Sequence, residues 1–215
     1  MSKNLLIIGI SGVTCGGKTT LAVKLKKAIP CTLLISQDTY FLPDDDPRHT
    51  RIPELNHVNY DIISSLDMET MHRDIGKILE QYNTHFHNAQ LIDKSSSLTN
   101  DELLEYINTK LKDTQTKILI LEGFCIFNYK PVSNLCLLKY YMTLDREECL
   151  KRRNSRVYEP PDCPGYFEQC VWPEYLNLSS YVHKNVVDVT YFEGDKSPPV
   201  RDILIDIFNV LCNNN

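Results

Sequence analysis

The sequence contains no apolar run that approaches the roughly 20 residues of a membrane-spanning helix. Its first apolar stretch, residues 4–10, is too short for a secretory signal, and no cleavage-site pattern follows it. The chain also lacks an excess of basic residues: it has 23 Lys and Arg and 28 Asp and Glu, which gives a formal net charge of -5. A general binder of nucleic acid or of membrane surfaces would show the opposite balance. We therefore expect a cytoplasmic protein that binds small molecules, with neither nucleic acid nor a membrane as a partner.

Paired cysteines are absent as well, since eight cysteines are scattered along 215 residues without a CxxC spacing. Without a predicted secretory signal, reduced thiols are expected, and a disulfide framework or a zinc site is the alternative. His85 and His87, in the polar stretch 83–100, are expected to be solvated loop residues. No repeat, low-complexity tract or obvious linker divides the chain. We predict one domain over residues 1–215, as a monomer or a homodimer.

Continuous apolar runs, typical of strands buried on both faces of a parallel sheet, recur along the chain. They lie at residues 4–10, 31–36, 117–122, 139–144 and 186–192. Apolar residues at helical spacing occur at 18–29, 68–82 and 101–112, and helices are also predicted from Asp145 and after Pro199. Strand, loop, helix and strand occupy the first 36 residues, an order that indicates an α/β fold. We predict a five-stranded parallel sheet flanked by helices.

The segment between the first predicted strand and the first helix is GVTCGGKT, residues 12–19, which matches the phosphate-loop pattern G-x-x-x-x-G-K-[ST]. Glycines allow the backbone to curl, so that successive N–H groups converge on a phosphate. Lys18 would reach the β- and γ-phosphates of a nucleoside triphosphate, and the Thr19 hydroxyl would bind Mg²⁺. The pattern in this context predicts a P-loop NTPase fold. The predicted ATP-binding residues of this region are Gly12, Val13, Thr14, Cys15, Gly16, Gly17, Lys18, Thr19 and Thr20.

Two carboxylates follow predicted strands, at the edge where such sheets bind ligands. Asp38 comes just after the second strand, where a carboxylate can accept the proton of an attacking hydroxyl or hold Mg²⁺. Glu122 ends the third strand, where a second acid helps to orient Mg²⁺. The alternative for Asp38 is a solvated loop residue, and the alternative for Glu122 is a helix cap. We predict Asp38, Lys18 and Glu122 as catalytic residues, and Thr19, Asp38 and Glu122 as the metal site.

A cationic cluster stands in this acidic chain, within LKRRNSRVYEPPDCPGYF at residues 150–167. Its cations are Lys151, Arg152, Arg153 and Arg156, and a rigid proline turn follows them. Phosphoryl transfer spreads negative charge, which arginines on a closing segment neutralise while they help to exclude water. We predict an Arg-rich lid at about residues 150–170, with a solvated basic helix end as the alternative. An N-K-x-D motif is missing, which disfavours a GTPase, and the signature of an ABC-type ATPase is missing too.

With these residues together, the sequence resembles the nicotinamide riboside kinases, in the uridine-kinase-like branch of phosphate-loop kinases. The matching stretches are IIGISGVTCGGKTTLA, ISQDTYF, NYD (59–61), LEGFCIFNYKP (121–131), RRNSRVYEPPDCPGYF and VWPEYL (171–176). They extend from residue 5 to about residue 197, with 83–116 unmatched in detail. The resemblance implies ATP-dependent phosphorylation of the 5′-hydroxyl of nicotinamide riboside to nicotinamide mononucleotide, on the salvage route to NAD. Use of nicotinic acid riboside is left open.

The resemblance also implies roles for the matching positions of this sequence. The further positions implied for ATP are Arg152, Arg156 and Lys196, the last beside the adenine. The positions implied for the riboside are Asp38, Thr39, Tyr40, Tyr60, Asp61, Arg153, Tyr158 and Glu159. Within that set Asp38 would be the general base, Asp61 would bind ribose hydroxyls, and Tyr158 would stack on the pyridine ring.

Two positions depart from the pattern of that family. Thr39 stands where an acid usually follows Asp38, which removes a charge but leaves the base. Glu159 replaces a usual Gln beside Tyr158, and we hypothesise that its charge favours a cationic pyridinium over neutral nucleosides. A pyrimidine nucleoside kinase is one alternative to a pyridine riboside kinase. A nucleotide-dependent regulatory protein without acceptor chemistry is the other.

Overall fold

The structure, a computed structural model, describes residues 3–84, 86, 97–194 and 196–213. Its strands are β1 (Asn4–Gly12), β2 (Thr32–Ser36), β3 (Arg51–Ile52), β4 (His57–Val58), β5 (Thr116–Glu122), β6 (Leu138–Thr143) and β7 (Val189–Glu193). Its helices are α1 (Lys18–Ala28), α2 (Met68–Leu79), α3 (Asn100–Asp113), α4 (Lys130–Ser133), α5 (Arg146–Asn154), α6 (Trp172–Asn185) and α7 (Val200–Asn213). Five strands form one parallel sheet in the order β2–β5–β1–β6–β7, and β3 pairs antiparallel with β4.

The central strand β1 separates two hydrophobic cores, because successive side chains of a strand point to opposite faces of the sheet. Leu6, Ile8 and Ile10 belong to the core that contains residues of α1, α3 and α7. Leu5 and Ile7 belong to the other core, with residues of α2 and α6. All five side chains are 3% exposed or less, and burying each contributes roughly 1.5–3 kcal/mol. Burial on both faces explains why this strand is apolar throughout its first half.

The predicted α/β class and the five predicted sheet strands are confirmed. The last strand begins at Val189 rather than at residue 186, because Asp188 has a φ of 56°, outside the extended region. The helix predicted at 101–112 is α3, which starts with a capping box between Thr99 and Glu102. Because the sheet is parallel, the carboxyl ends of β1, β2 and β5 meet at one edge. In the strand register both Ser36 and Ile10 pair with Glu122 there.

The sequence pattern does not predict α6 or the β3–β4 hairpin. In α6 only Val182 is fully buried, so the helix lacks a strong apolar stripe. The strands of the hairpin have two residues each, too few for a periodic signal.

All eight cysteines fall within the described residues as free thiols. His85 and His87 lie outside the described residues. Within the described ranges, no helix combines the length and the apolar character needed to cross a bilayer.

Candidate active site

Residues 12–19 span the predicted loop, from the last residue of β1 to the first turn of α1. Gly12 has a φ of 120°, and a side chain there would collide with the carbonyl oxygen of Met142 in β6. Cys15 and Gly17 also have positive φ, 59° and 89°, and Gly17 directly precedes α1. The loop therefore curls over the N-terminus of α1, where unbonded N–H groups and the helix dipole attract an anion.

Lys18 is the first residue of α1 and its side chain returns over the loop. Its Nζ donates a hydrogen bond of 2.7 Å to the carbonyl oxygen of Val13. Burial lowers the pKa of Lys18, while the nearby carboxylates of Asp38 and Glu122 work in the opposite direction. A phosphate oxygen at this point would favour the charged form of the amine. The position of Lys18 therefore suits an anionic ligand.

Glu122 lies at the end of β5 and is only 1% exposed. Its Oε2 accepts a hydrogen bond of 3.1 Å from the Thr19 hydroxyl, and its Oε1 accepts one of 2.5 Å from the Ser36 hydroxyl. These bonds join the ends of α1, β2 and β5 around one carboxylate. A buried carboxylate next to two hydroxyl oxygens is an arrangement that a hard, oxygen-seeking cation can use.

Asp38 follows β2 directly, in the short 3-10 helix Gln37–Tyr40. Gln37 is fully buried, and its side-chain oxygen accepts the backbone N–H of Cys125 at 3.1 Å. This anchor leaves the neighbouring Asp38 exposed and on the wall of a cavity. The carboxylate is therefore accessible to a ligand, as a general base must be.

A cavity of about 400 Å³ opens at this edge of the sheet. The predicted site residues that line it are Thr14, Cys15, Lys18, Thr19, Asp38, Tyr60, Asp61, Glu122, Arg153, Arg156, Tyr158 and Glu159. Residues of the phosphate loop, of the two strand ends and of the predicted lid thus share one space. These residues lie around one cavity in the structure, although they are spread over about 150 positions of the sequence.

Tyr60 and Asp61 follow β4 and form one side of the cavity. The Tyr60 hydroxyl donates a 2.9 Å hydrogen bond to Asp44, and this bond together with burial raises the pKa of Tyr60 to about 12. Asp61 accepts a 3.0 Å hydrogen bond from the Tyr166 hydroxyl. Burial raises the pKa of Asp61, although its contacts with Arg153 and Tyr166 favour the ionised form. The cavity therefore holds a carboxylate whose charge depends on its partners.

Arg153 extends from α5 and is only 6% exposed. Its guanidinium lies 4.4 Å from the ring centre of Tyr158, a cation–π contact. Although burial disfavours the charge, ion pairs with Asp162 and Asp61 raise the pKa of Arg153. The Tyr158 hydroxyl in turn lies 3.4 Å from Cys15 Sγ. The predicted lid residues thus contact both the phosphate loop and the Tyr60–Asp61 side of the cavity.

Thr39 and Tyr40, predicted to bind the riboside, are not among the residues that line the cavity. The Thr39 hydroxyl donates to the Ser36 carbonyl oxygen at 2.8 Å, so it is used within its own turn. The Tyr40 hydroxyl donates to Asp74 of α2 at 3.4 Å. The 3-10 helix directs Asp38 toward the cavity, and these two following side chains make other contacts.

Arg152 and Lys196, predicted to bind ATP, also stand outside the cavity wall. Arg152 pairs with Glu148 at 2.6 Å and donates to the carbonyl oxygens of Gly194 and Cys15 at 2.8 and 3.4 Å. Lys196 is exposed and forms an ion pair with Glu193. Arg152 therefore connects α5, the phosphate loop and the end of β7. The other predicted loop residues outside the cavity wall are Gly12, Val13, Gly16, Gly17 and Thr20.

Several residues that line the cavity have no role assigned from the sequence. They are Phe41, Leu42, Asp44, Phe124, Pro160, Asp162 and Tyr166. The Phe41 ring stacks at 6.2 Å on Phe124, which comes two residues after Glu122. Asp162 and Tyr166 belong to the proline turn itself, so their place in that motif is the signal that points to them. The motif does not show the partners of Tyr166, which are Tyr60 and Asp61, whereas the partner of Asp162 is Arg153 of the same motif.

No protein-family model matches the chain. Nicotinamide riboside kinase 1 of Homo sapiens is 36% identical over 205 residues, which cover 95% of this chain and 91% of that protein. Nicotinamide riboside kinase 2 of Mus musculus is 36% identical over 212 residues, 98% of this chain and 99% of that protein. A uridine kinase of Borrelia hermsii is 32% identical over 155 residues, 70% of this chain and 66% of that protein. The solved structure of a possible uridine kinase from Bacillus stearothermophilus has a TM-score of 0.45 at 16% identity, over 88% of this chain and 90% of that chain.

Proposed function

The chain belongs to the nicotinamide riboside kinase family, and we propose that it transfers the γ-phosphoryl group of ATP to the 5′-hydroxyl of nicotinamide riboside. The product is nicotinamide mononucleotide, on the salvage route to NAD. The shared cavity carries this proposal, because Lys18, Asp38 and Asp61 all line it. A kinase must hold donor and acceptor side by side, since the attacking oxygen has to be in line with the phosphoryl group.

The phosphate loop binds the triphosphate of ATP. N–H groups at the start of α1 and in the curled loop donate to the phosphate oxygens. The Lys18 ammonium exchanges its bond to the Val13 carbonyl for a phosphate oxygen. Arg156, which lines the same cavity, and Arg152, which reaches the loop backbone at Cys15, add positive charge on the lid side.

The oxygen donors of Thr19, Asp38 and Glu122 fit Mg²⁺, which prefers hard oxygen ligands and retains several waters. The Thr19 hydroxyl and the Glu122 carboxylate are already joined at 3.1 Å, and Asp38 lines the same cavity. When bound, Mg²⁺ neutralises charge on the β- and γ-phosphates. Glu122 then keeps the Thr19 side chain in position, because it also holds Ser36 of the neighbouring strand.

Asp38 accepts the proton of the 5′-hydroxyl as that oxygen attacks the γ-phosphorus. Its exposure to the cavity and the anchor at the neighbouring Gln37 support this role. Asp61 binds the ribose hydroxyls, which orients the 5′-oxygen. The rings of Tyr60 and Tyr158 contact the pyridinium, which gains from aromatic faces because it is cationic. Glu159 adds a negative charge to this end of the cavity.

A pyrimidine nucleoside kinase is the second candidate, favoured by the uridine kinase that is 32% identical over 70% of this chain. The two functions differ in the base, since uracil and cytosine are neutral and present hydrogen-bonding edges. The cavity wall carries Glu159, next to Tyr158 in the chain, and Asp44 at the Tyr60 hydroxyl, and these negative charges support a cationic base.

A substrate panel tests the proposal. Purified protein is mixed with ATP and Mg²⁺ and with nicotinamide riboside, nicotinic acid riboside, uridine or cytidine in turn, and the 5′-phosphorylated product and ADP are quantified. We expect the highest kcat/KM for nicotinamide riboside and no turnover when EDTA removes the metal. A higher kcat/KM for uridine or cytidine would establish the second candidate. Phosphorylation of none of the four would overturn both.

A further inference from the structure

The Arg153 guanidinium has no nitrogen left without a partner. Nε and Nη2 donate to the two oxygens of Asp162 at 2.5 and 3.0 Å, a bidentate ion pair. Nη1 and Nη2 reach the two oxygens of Asp61, each at 3.4 Å, and Nη1 also donates to the Thr14 hydroxyl at 3.3 Å. The tight bonds thus go to Asp162, and the long ones go to Asp61. Arg153 is oriented mainly by a residue of the proline turn.

The Tyr166 hydroxyl has two partners on the opposite side of the cavity. It donates to Asp61 Oδ2 at 3.0 Å and accepts the backbone N–H of Tyr60 at 2.8 Å. Tyr166 is 1% exposed and packs in a small hydrophobic core with Phe167 and Val171. A single hydroxyl group therefore fixes two of the residues that the proposed function assigns to the riboside, Tyr60 and Asp61.

We propose that Asp162 and Tyr166 are positioning residues of the riboside site: Asp162 holds Arg153 at the ring of Tyr158 and limits its approach to Asp61, and Tyr166 holds Asp61 and Tyr60. This inference rests on the proposed riboside kinase function. The polar atoms of both residues are engaged by protein partners, so they act on the riboside through Asp61 and Tyr158.

The geometry leaves Asp61 able to bind a hydroxyl group. A carboxylate offers about four lone-pair positions, and here three are approached, two of them only at 3.4 Å. A ribose hydroxyl can use the remaining position and compete with the long contacts. Asp162 keeps Arg153 from closing fully onto Asp61, since its own bonds to the guanidinium are shorter. Loss of Asp162 would free Arg153 to pair with Asp61 and occupy the riboside position.

Asp162 and Tyr166 also influence the charge of Asp61 in opposite directions. The groups facing Asp61 are Arg153, Asp162 and Tyr166. The thiols of Cys125, Cys149 and Cys170 are close enough to interact with the charge of Asp61. The negative charge of Asp162 raises the pKa of Asp61, and the Tyr166 hydrogen bond lowers it. Because the ionised carboxylate accepts hydrogen bonds from hydroxyl groups more strongly than the protonated acid, the riboside KM should rise as the pH falls through this pKa.

The test compares Asp162→Asn and Tyr166→Phe with the wild-type enzyme, measuring KM for nicotinamide riboside and for ATP across the acidic range. Each variant should raise the riboside KM by about tenfold, as expected for loss of a hydrogen bond to a charged group. KM for ATP should stay within about twofold. The acid-side rise of the riboside KM should shift to lower pH in Asp162→Asn and to higher pH in Tyr166→Phe. Asp162→Glu, which keeps the charge, should recover part of the loss.

Two matched controls separate positioning from general stability. Tyr140→Phe removes a buried Tyr–Asp hydrogen bond, 2.8 Å to Asp206, at a site away from the cavity. Asp46→Asn removes a bidentate Asp–Arg pair with Arg48 that lines no part of the cavity. Both controls should keep the riboside KM and its pH profile, whatever their melting temperatures.

The outcomes distinguish this inference from the proposed function. A wild-type enzyme that phosphorylates no riboside overturns the proposed function and the inference with it. An active wild type whose riboside KM and pH profile are unchanged in both variants overturns the inference alone. If Asp162→Asn does not fold, Tyr166→Phe decides, because it removes only one oxygen atom: an upward pH shift with raised riboside KM supports the inference, and unchanged values overturn it.

Discussion

The Thr19 hydroxyl donates a 3.1 Å hydrogen bond to Glu122 Oε2, and this bond joins the first turn of α1 to the end of β5. The two residues are 103 positions apart in the chain. They meet because α1 follows the strand β1, which lies beside β5 in the sheet. The same carboxylate holds Ser36 at the end of β2. Glu122 therefore sets the relative position of the phosphate loop and the segment that carries Asp38.

Glu122→Gln should lower turnover by about 10- to 100-fold, as for loss of a residue that orients a metal ligand. The amide keeps the size of the side chain but removes the charge next to Thr19. The Mg²⁺ concentration required for half-maximal rate should rise, which a magnesium titration measures. The control is Glu102→Gln, since Glu102 accepts a 2.8 Å hydrogen bond from the Thr99 hydroxyl in the same way, at a remote helix cap. An unchanged magnesium dependence would show that Glu122 does not belong to the metal site.

Asp38→Asn should reduce kcat by about 100- to 10,000-fold, the usual contribution of a general base. ATP binding should persist, because Lys18 and the phosphate-loop backbone remain. Single-turnover ADP formation measures the chemical step, and calorimetry measures ATP affinity. Asp74→Asn is the control, a carboxylate of α2 that pairs with Lys77 and does not line the cavity. Near-normal turnover in Asp38→Asn would show that another group takes the proton.

Glu159→Gln should reduce the preference for the cationic riboside over uridine. A charge about 6 Å from the pyridinium in a water-like medium changes affinity by roughly threefold. Raising the salt concentration should shrink this effect, because Glu159 is exposed and exposed charges are screened. Glu168→Gln is the control on the same segment, since Glu168 faces Arg146 and lies outside the cavity wall. An unchanged kcat/KM ratio between the two substrates would contradict the hypothesis.

The phosphate loop and the sheet could be predicted because their signals are local. The loop pattern occupies consecutive positions, and each buried strand is one apolar run. Asp38 and Glu122 follow from the same signal, since a carboxylate just after a parallel strand lies at the ligand-binding edge.

The role of Tyr166 could not be predicted from the sequence, because it depends on a contact between distant segments, and the role of Asp162 depends on how the proline turn folds back onto Arg153. Tyr166 and Asp61 are 105 positions apart, and no local pattern pairs them. Tyr40 shows the opposite case, a residue predicted to bind the riboside that does not line the cavity. Tyr40 belongs to a matching motif, yet the 3-10 turn directs its hydroxyl to Asp74. A motif thus identifies the segment, and the backbone decides which of its side chains reach the cavity.

The Tyr140–Asp206 pair predicts how the stability of the fold depends on pH. Burial raises the pKa of Asp206, despite the hydrogen bond that it accepts from Tyr140. The folded state therefore binds a proton more tightly than the unfolded state at this residue. The free energy of unfolding should fall as the pH rises from the unfolded pKa of Asp206 through its folded pKa. Asp206→Asn removes this contribution and can still accept from Tyr140. The stability of the variant relative to wild type should therefore increase with pH across that window in urea unfolding series, and a difference that is constant or decreasing would contradict the assignment.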